Sequence, residues 1–266
     1  SVEQAKLWKG ASPNFQGKIV MITGGSGTIG FTIAKAFSKL GAQTILIDKD
    51  ETSLKKAVDS LGTGHGYLTL DVTSPDAAEQ AMLGSIQKFG GLDILISNAG
   101  AAHAGPMLSI SEDDLRDAFE LNFFSHYSFS TAAAKIFRNQ NRGGQILFNI
   151  SKQAVNPGKN FGAYGMPKAT TFFLMKQLAL ELGANGIRVN GVNADRIRSG
   201  LLTDDFISSR AKSRGVSESD YMAGNLLNKE VTAEHVADAF TSLACAESTT
   251  GHVMTVDGGN IEASLR

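Results

Sequence analysis

Three side chains in the second half of the sequence have types and spacing suited to moving a proton on and off an oxygen: Ser151, Tyr164 and Lys168. Tyr164 and Lys168 are four residues apart at a predicted helix start, which places them on one face. A phenol has an ordinary pKa of about 10, too high to exchange protons readily at neutral pH. An ammonium beside it stabilises the phenolate, and the expectation is a lowered Tyr164 pKa. The Ser151 hydroxyl then hydrogen-bonds a substrate oxygen as charge develops on it. A Tyr and a Lys four apart are common in any helix, so the rest of the chain must supply the context.

That context begins with TGGSGTIG, Thr23 to Gly30. Gly25, Gly27 and Gly30 satisfy G-x-G-x-x-G after an apolar run and before a helical segment. A chain turning sharply there aims helix N-terminal amides at a pyrophosphate, and a side chain in the turn would hold the phosphate off. Gly24, Ser26, Gly27, Thr28, Ile29 and Gly30 are therefore the predicted phosphate cradle. Asp48 closes the second apolar run, eighteen residues past Gly30. A carboxylate there accepts hydrogen bonds from both adenosine ribose hydroxyls and repels a 2′-phosphate, which favours NAD over NADP. Asp71 and Val72, ending the third run, are placed at the adenine edge; for Asp71 a capping role toward Thr73 and Ser74 is an equal reading. Asn98-Ala99-Gly100 follows the fourth run with small residues where backbone must approach a ligand. An oxidised nicotinamide would bring a positive ring to Tyr164 and add to the effect of Lys168.

Stepping outward, short apolar runs alternate with amphipathic segments. Strands are predicted at 18–23, 44–48, 67–71, 93–97, 145–150, 187–192 and 252–256. Helices are predicted at 28–40, 51–61, 74–89, 111–138 and 161–184, with further helices to about 246. Continuous apolar strands joined by crossover helices indicate an α/β fold, a doubly wound parallel sheet covered on both faces. Ligands bind such sheets beyond the carboxyl ends of the strands, where the residues named above fall. The stretch 193–230 leaves the rhythm and is a candidate lid.

With 266 residues and 42% apolar content, the chain can bury one large α/β core. A net charge of −1 speaks against nucleic acid and anionic membranes as partners and toward a small molecule. No apolar run reaches the length of a membrane span and no signal-peptide core is present, so a cytoplasmic location is expected. The single cysteine, Cys245, excludes an intramolecular disulfide and reads as a buried structural thiol. The five histidines form no metal-ligand spacing, so no metal is expected. Asn149-Ile150-Ser151 matches the glycosylation sequon, but it closes an apolar strand and is read as chance.

Taken together, Thr23-Gly24…Gly30, Asn98-Ala99-Gly100, Asn122, Ser151, Tyr164-x-x-x-Lys168 and Val256-Asp257-Gly258-Gly259 resemble the short-chain dehydrogenase/reductase family over about residues 16–260. The resemblance implies a Rossmann-like fold of seven strands, hydride transfer to or from a nicotinamide, and a homotetramer or homodimer packed through the helices at 111–138 and 161–184. By position it makes Tyr164 the general acid/base and Lys168 its modulator and nicotinamide-ribose ligand. Ser151 would orient the substrate oxygen, and Asn122 would hold the water of a proton relay. Departures exist. The family's common turn, T-G-x-x-x-G-x-G, has glycine where this chain has Thr28, and the spacing here is commoner in an epimerase-like branch that retains its cofactor. Pro167 lies inside the Tyr-Lys quartet, where its missing donor is expected to fall in the unpaired first turn. Asn193-Ala194-Asp195 replaces the usual Pro-Gly.

Three segments, VNADRIRSGLL, NLLNKEVTAEHVADAF and VDGGNIEASLR, are similar to the C-terminal dehydrogenase domain of bifunctional aldolase/short-chain dehydrogenases. That similarity implies a sugar, sugar alcohol or small hydroxyaldehyde as substrate, and a fused aldolase domain in the native chain, with residues 1–15 as a linker remnant and 16–266 as the dehydrogenase domain. Arg196 and Arg198 could meet a phosphate or carboxylate, while Arg210, Lys212 and Arg214 read as a solvated helix face. A catalytically silent nucleotide-binding module is the reading from another class.

Overall fold

The structure, a computed structural model, describes residues 14–200 and 202–260. Most of the predicted linker lies outside the described residues. Phe15, which the sequence reading placed in that linker, is instead buried against the Phe37 ring, centroids 5.0 Å apart.

Seven parallel strands form one sheet in the order β3-β2-β1-β4-β5-β6-β7. They are β1 (Ile19–Thr23), β2 (Gln43–Asp48), β3 (Gly66–Thr69), β4 (Ile94–Ser97), β5 (Gly144–Asn149), β6 (Ile187–Ala194) and β7 (Val253–Val256). The helices are α1 (Thr28–Lys39), α2 (Glu51–Leu61), α3 (Ala77–Phe89), α4 (Glu112–Phe119), α5 (Ser125–Gln140), α6 (Gly162–Leu182), α7 (Asp204–Arg214), α8 (Glu218–Met222) and α9 (Ala233–Cys245). Every residue of β1 is buried, and alternate side chains serve opposite faces as the strand's period of two requires. Met21 joins the core under α3, α5 and α6, whereas Val20 and Ile22 join the core under α1, α2 and α9. The order of strands reverses between β1 and β4, so their carboxyl ends open a crevice there.

The differences from the sequence reading are local. β3 ends at Thr69, before Leu70 and Asp71, and α3 begins at Ala77. In the turn between them, Asp71 accepts from the Thr73 amide at 3.0 Å and its hydroxyl at 2.7 Å. The predicted helix 111–138 is α4 and α5 joined by a π-helical segment, Glu120–Phe124, with Asn122 at its centre. β6 runs on to Ala194, so the lid begins at Asp195. It carries its own small core of Leu202, Ile207, Ala211, Tyr221 and Met222. Pro167 is the sixth residue of α6, beyond the unpaired first turn, so the Ala163 carbonyl lacks the donor it would have had. Cys245 is exposed at the last position of α9. The apolar side of that helix turns away from it.

Candidate active site

A cavity of about 650 Å³ opens at the carboxyl ends of the strands. It runs from the β1–α1 turn, past the ends of β4 and β5, to the inner side of the lid.

At the nucleotide end, α1 starts after Gly27 with no side-chain cap and no acidic residue in its first turn. By contrast, the Asp50 side chain caps α2. The uncapped amides of α1 are free donors for an anion. Two glycines close this turn for structural reasons. Gly24 has φ +64° with its Cβ position 3.0 Å from Ala99 Cα, and a Cβ on Gly30 would stand 2.1 Å from the Gly24 carbonyl oxygen. Gly27 differs, since its nearest neighbour would be the Gly24 oxygen at 3.5 Å. Thr28 and Ile29 line the cavity, Thr28 exposed. Ser26 does not line it; its amide and hydroxyl donate to Asp48 Oδ2 at 3.2 and 2.7 Å. Asp48, Asp71 and Val72 line the same end.

Beyond β4, the Thr23 hydroxyl accepts from the amides of Asn98 and Ala99 at 2.9 and 3.0 Å. The Asn98 carboxamide donates to the Thr23 carbonyl at 3.0 Å and accepts from Asn149 Nδ2 at 2.9 Å. Thr23 and Asn149 thus fix the spacing of three strand ends. Sequence reasoning left Asn149 as a chance sequon, although its place at a strand end beside Ser151 was the available signal.

Ser151, Tyr164 and Lys168 are buried and all line the cavity. Lys168 Nζ donates to the Asn149 carbonyl at 3.1 Å and lies 5.7 Å from the Tyr164 ring centroid. Burial pushes the Tyr164 phenol up to about 12, with Ser151 pulling the other way, and burial brings Lys168 down to about 8. The expected lowering of Tyr164 by Lys168 is therefore not what this state of the protein shows. Loss of water around a buried phenolate outweighs an ammonium that is engaged with a main-chain carbonyl. Tyr164 is protonated throughout the neutral range.

Asn122 is buried within the π-helical segment and does not line the cavity. Its side chain donates to the carbonyls of Ala101 at 3.0 Å and Ala118 at 3.1 Å, and accepts from the Ala101 amide at 3.3 Å. Its own carbonyl accepts from Thr171 Oγ1 on α6 at 2.7 Å. A Cβ on Gly100 would stand 2.8 Å from Asn122 Oδ1 and 3.4 Å from Lys168 Nζ, so Gly100 lets these groups close up. His126, one turn on, is buried with Nδ1 2.6 Å from Ser97 Oγ. Burial, and then the Lys168 charge, hold its pKa well down. His103, a possible rim residue by sequence, is half-buried and does not line the cavity.

The lid end is charged. Buried Asp195 meets Lys152 Nζ at 2.5 Å and Arg196 Nε at 3.4 Å, and accepts from Asn260 Nδ2 at 2.8 Å. Burial holds the Lys152 pKa down against the pull of Asp195. Arg196 also donates to the Tyr221 carbonyl, tying the strand end to α8. Arg198 turns outward to Asp204 and Glu230, at 2.6 and 2.8 Å. Lys212 is exposed and away from the cavity. Arg210 and Arg214, expected on a solvated face, line the cavity instead. The sequence reading missed Lys152 and the lid aromatics, Phe161, Phe206 and Tyr221, since strand and helix periodicity do not report what faces across a loop.

A doubly wound sheet with a glycine turn after β1 and a Ser-Tyr-Lys group after β5 defines a nucleotide-binding oxidoreductase architecture. The chain belongs to the short-chain dehydrogenase/reductase family of oxidoreductases: the family described as enoyl-(acyl carrier protein) reductase matches residues 24–260. The uncharacterized oxidoreductase YuxG of Bacillus subtilis is 31% identical over 258 residues, which cover 92% of this chain but 37% of YuxG. Secoisolariciresinol dehydrogenase of Forsythia intermedia is 30% identical, with 92% of this chain and 89% of that protein covered. Among solved structures, L-sorbose reductase from Gluconobacter frateurii, complexed with NADPH and L-sorbose, superposes with a TM-score of 0.84 at 27% identity, covering 94% of this chain and 98% of that one. Among the described residues no helix is long and apolar enough to cross a membrane.

Proposed function

We propose that this chain is an NAD-dependent oxidoreductase that interconverts an alcohol and a carbonyl, with Tyr164 as the acid/base. The observation carrying this reading is that Ser151, Tyr164 and Lys168 line the same cavity as the uncapped start of α1 and Asp48. The residues fit a dinucleotide: free amides face the phosphate position, Gly27 has open space beside it, and Asp48 closes β2 as a ribose acceptor. Asn98, Ala99, Gly100 and Lys168 border the nicotinamide end. NAD, when bound, supplies the hydride acceptor or donor.

The chain's own work is proton management at the substrate oxygen. Ser151 holds that oxygen by a hydrogen bond, and Tyr164 gives it a proton or takes one from it. With its pKa raised, Tyr164 is already in the protonated form needed to donate to a carbonyl. For alcohol oxidation the phenol must first be made more acidic, and a positive charge arriving beside Lys168 has that effect. Asn122 acts through Ala101 and the π-helical segment, which supports a positioning role next to Lys168.

The substrate class proposed is a sugar, a sugar alcohol or a small hydroxyaldehyde, and the native chain is proposed to be cytoplasmic and to include a fused aldolase domain. The three similar segments support the fusion. The YuxG match supports only that a unit of this kind occurs within a longer chain. Phe124, Tyr127, Phe173 and Leu180, exposed on the π-helical segment, α5 and α6, support a homo-oligomer.

The test is turnover of an alcohol and aldehyde panel with NAD(H) by the wild type and by Tyr164→Phe, with circular dichroism to verify folding. A fall of about 100-fold or more in kcat is expected for the folded variant. Tight NADH binding without turnover across the panel would instead identify a silent nucleotide-binding module.

A further inference from the structure

The outer wall of the cavity is a face of α7 built from Phe206, Arg210 and Arg214, which recur every four residues. The Arg210 guanidinium lies 5.8 Å from the Phe161 ring and 5.9 Å from the Phe206 ring, and those two rings meet edge to face at 5.7 Å. Arg210 Nε is buried and has no hydrogen-bond partner among the described residues. Arg214 lies 5.2 Å over the Tyr221 ring. Aromatic faces hold both guanidinium groups in place without consuming their donors.

The other lid cations are neutralised by carboxylates. Arg198 has Asp204 and Glu230, while Lys152 and Arg196 share Asp195. Among the described residues no ion pair reaches Arg210 or Arg214. Two like charges one turn apart on a helix repel, and a buried donor with no acceptor is costly, so the arrangement is incomplete as it stands. An oxyanion between the two guanidiniums would resolve both defects. Arginine's fork of donors matches carboxylate and phosphate alike.

We propose that Arg210 and Arg214 form a receptor for an anionic group, a carboxylate or phosphate, carried by the substrate at the end away from the carbon that reacts. The proposal deepens the oxidoreductase reading above and rests on it for the word substrate. It narrows the substrate to hydroxy or keto compounds bearing such a group, and assigns the lid the task of selecting them.

Two measurements test it. The first is the kinetic comparison of matched pairs with and without the charge: a ketose against its phosphate, and a hydroxyketone against the corresponding keto acid. The anionic member is expected to have kcat/KM about tenfold higher or more. The double variant Arg210→Gln/Arg214→Gln should raise KM for the anionic member while leaving kcat, and the neutral member, little changed. Which pair shows the larger preference distinguishes phosphate from carboxylate. The second is thermal unfolding with inorganic phosphate or succinate against chloride at equal ionic strength. Stabilisation of the wild type and none of the double variant is expected. Turnover that prefers neutral substrates and ignores the double substitution overturns the receptor and leaves the oxidoreductase reading intact. Anion stabilisation that depends on the two arginines, with no turnover of any pair, upholds the anion receptor and sinks the oxidoreductase reading.

Discussion

Lys168 donates its ammonium proton to the main-chain carbonyl of Asn149 at 3.1 Å, while the Asn149 side chain holds Asn98 at 2.9 Å. One residue at the end of β5 therefore orients the ammonium with its carbonyl and the β4 turn with its carboxamide. Burial brings Lys168 down to about 8 from an ordinary 10.5, so its charged form is less welcome in the folded chain than in the unfolded one. The folded chain gives up this proton first. Stability from this residue is therefore present above the unfolded pKa and is lost as pH falls from about 10.5 through about 8.

Lys168→Met removes that dependence. In cofactor-free protein the variant is expected to be more stable than the wild type at pH 7, with the advantage shrinking as pH rises from about 8 to 10.5. Urea unfolding of both proteins across that range checks it. A constant difference would show that Lys168 does not titrate abnormally.

Gly27 and Gly30 predict opposite outcomes for the same substitution. Gly30→Ala forces a methyl to 2.1 Å from the Gly24 carbonyl oxygen and is expected to cost about 1–3 kcal/mol of folding stability. Gly27→Ala meets nothing closer than 3.5 Å in the protein, so its melting temperature should stay unchanged. Its NADH affinity should nevertheless fall about tenfold or more, because the methyl stands where a phosphate must approach. Paired melting and fluorescence titrations read both effects.

Asp48 accepts both a hydroxyl and an amide from Ser26, which fixes its carboxylate toward the nucleotide end of the cavity. Asp48→Ala is expected to lower the ratio of NADH to NADPH affinity by about tenfold or more, since charge repulsion of a 2′-phosphate disappears and Lys49 remains adjacent. Wild-type protein that already binds NADPH more tightly would overturn the assignment of Asp48 as the selector.

Asp195→Asn leaves Lys152 without its counter-charge at 2.5 Å. Loss of about 2–3 kcal/mol is expected by urea unfolding, below the figure for a fully buried pair because Lys152 keeps some exposure. Adding Lys152→Met should restore part of it. An unchanged midpoint in the single variant would mean that the pair contributes nothing net.

The strand-helix alternation, the parallel sheet and most residues of the site were legible because buried strands read as continuous apolar runs and ligands sit at their carboxyl ends. The rest depended on forces that pattern does not carry. The π-helical segment is sustained by Asn122 bonding to Ala101, far away in sequence, so ELNFFSH looks like ordinary helix. Tyr164 was expected to be more acidic, since spacing reveals the nearby ammonium but not the loss of water around the phenol. Arg210 and Arg214 looked solvated because α7 is polar on every side, and only Phe161 and Tyr221 show which side is inward.

The π-helical segment sets a phase as well as a position. Each residue of a regular helix advances about 100° around the axis, so the insertion decides which side chains of everything downstream meet the sheet. Deleting one residue from Glu120–Phe124 would let the ladder close regularly and rotate α5 by that amount, turning Phe129, Ala133 and Phe137 away from the core they now share. A one-residue deletion there should thus be far more damaging than any single replacement. The widened turn beside Lys168 and the packing of the long helix stand or fall together.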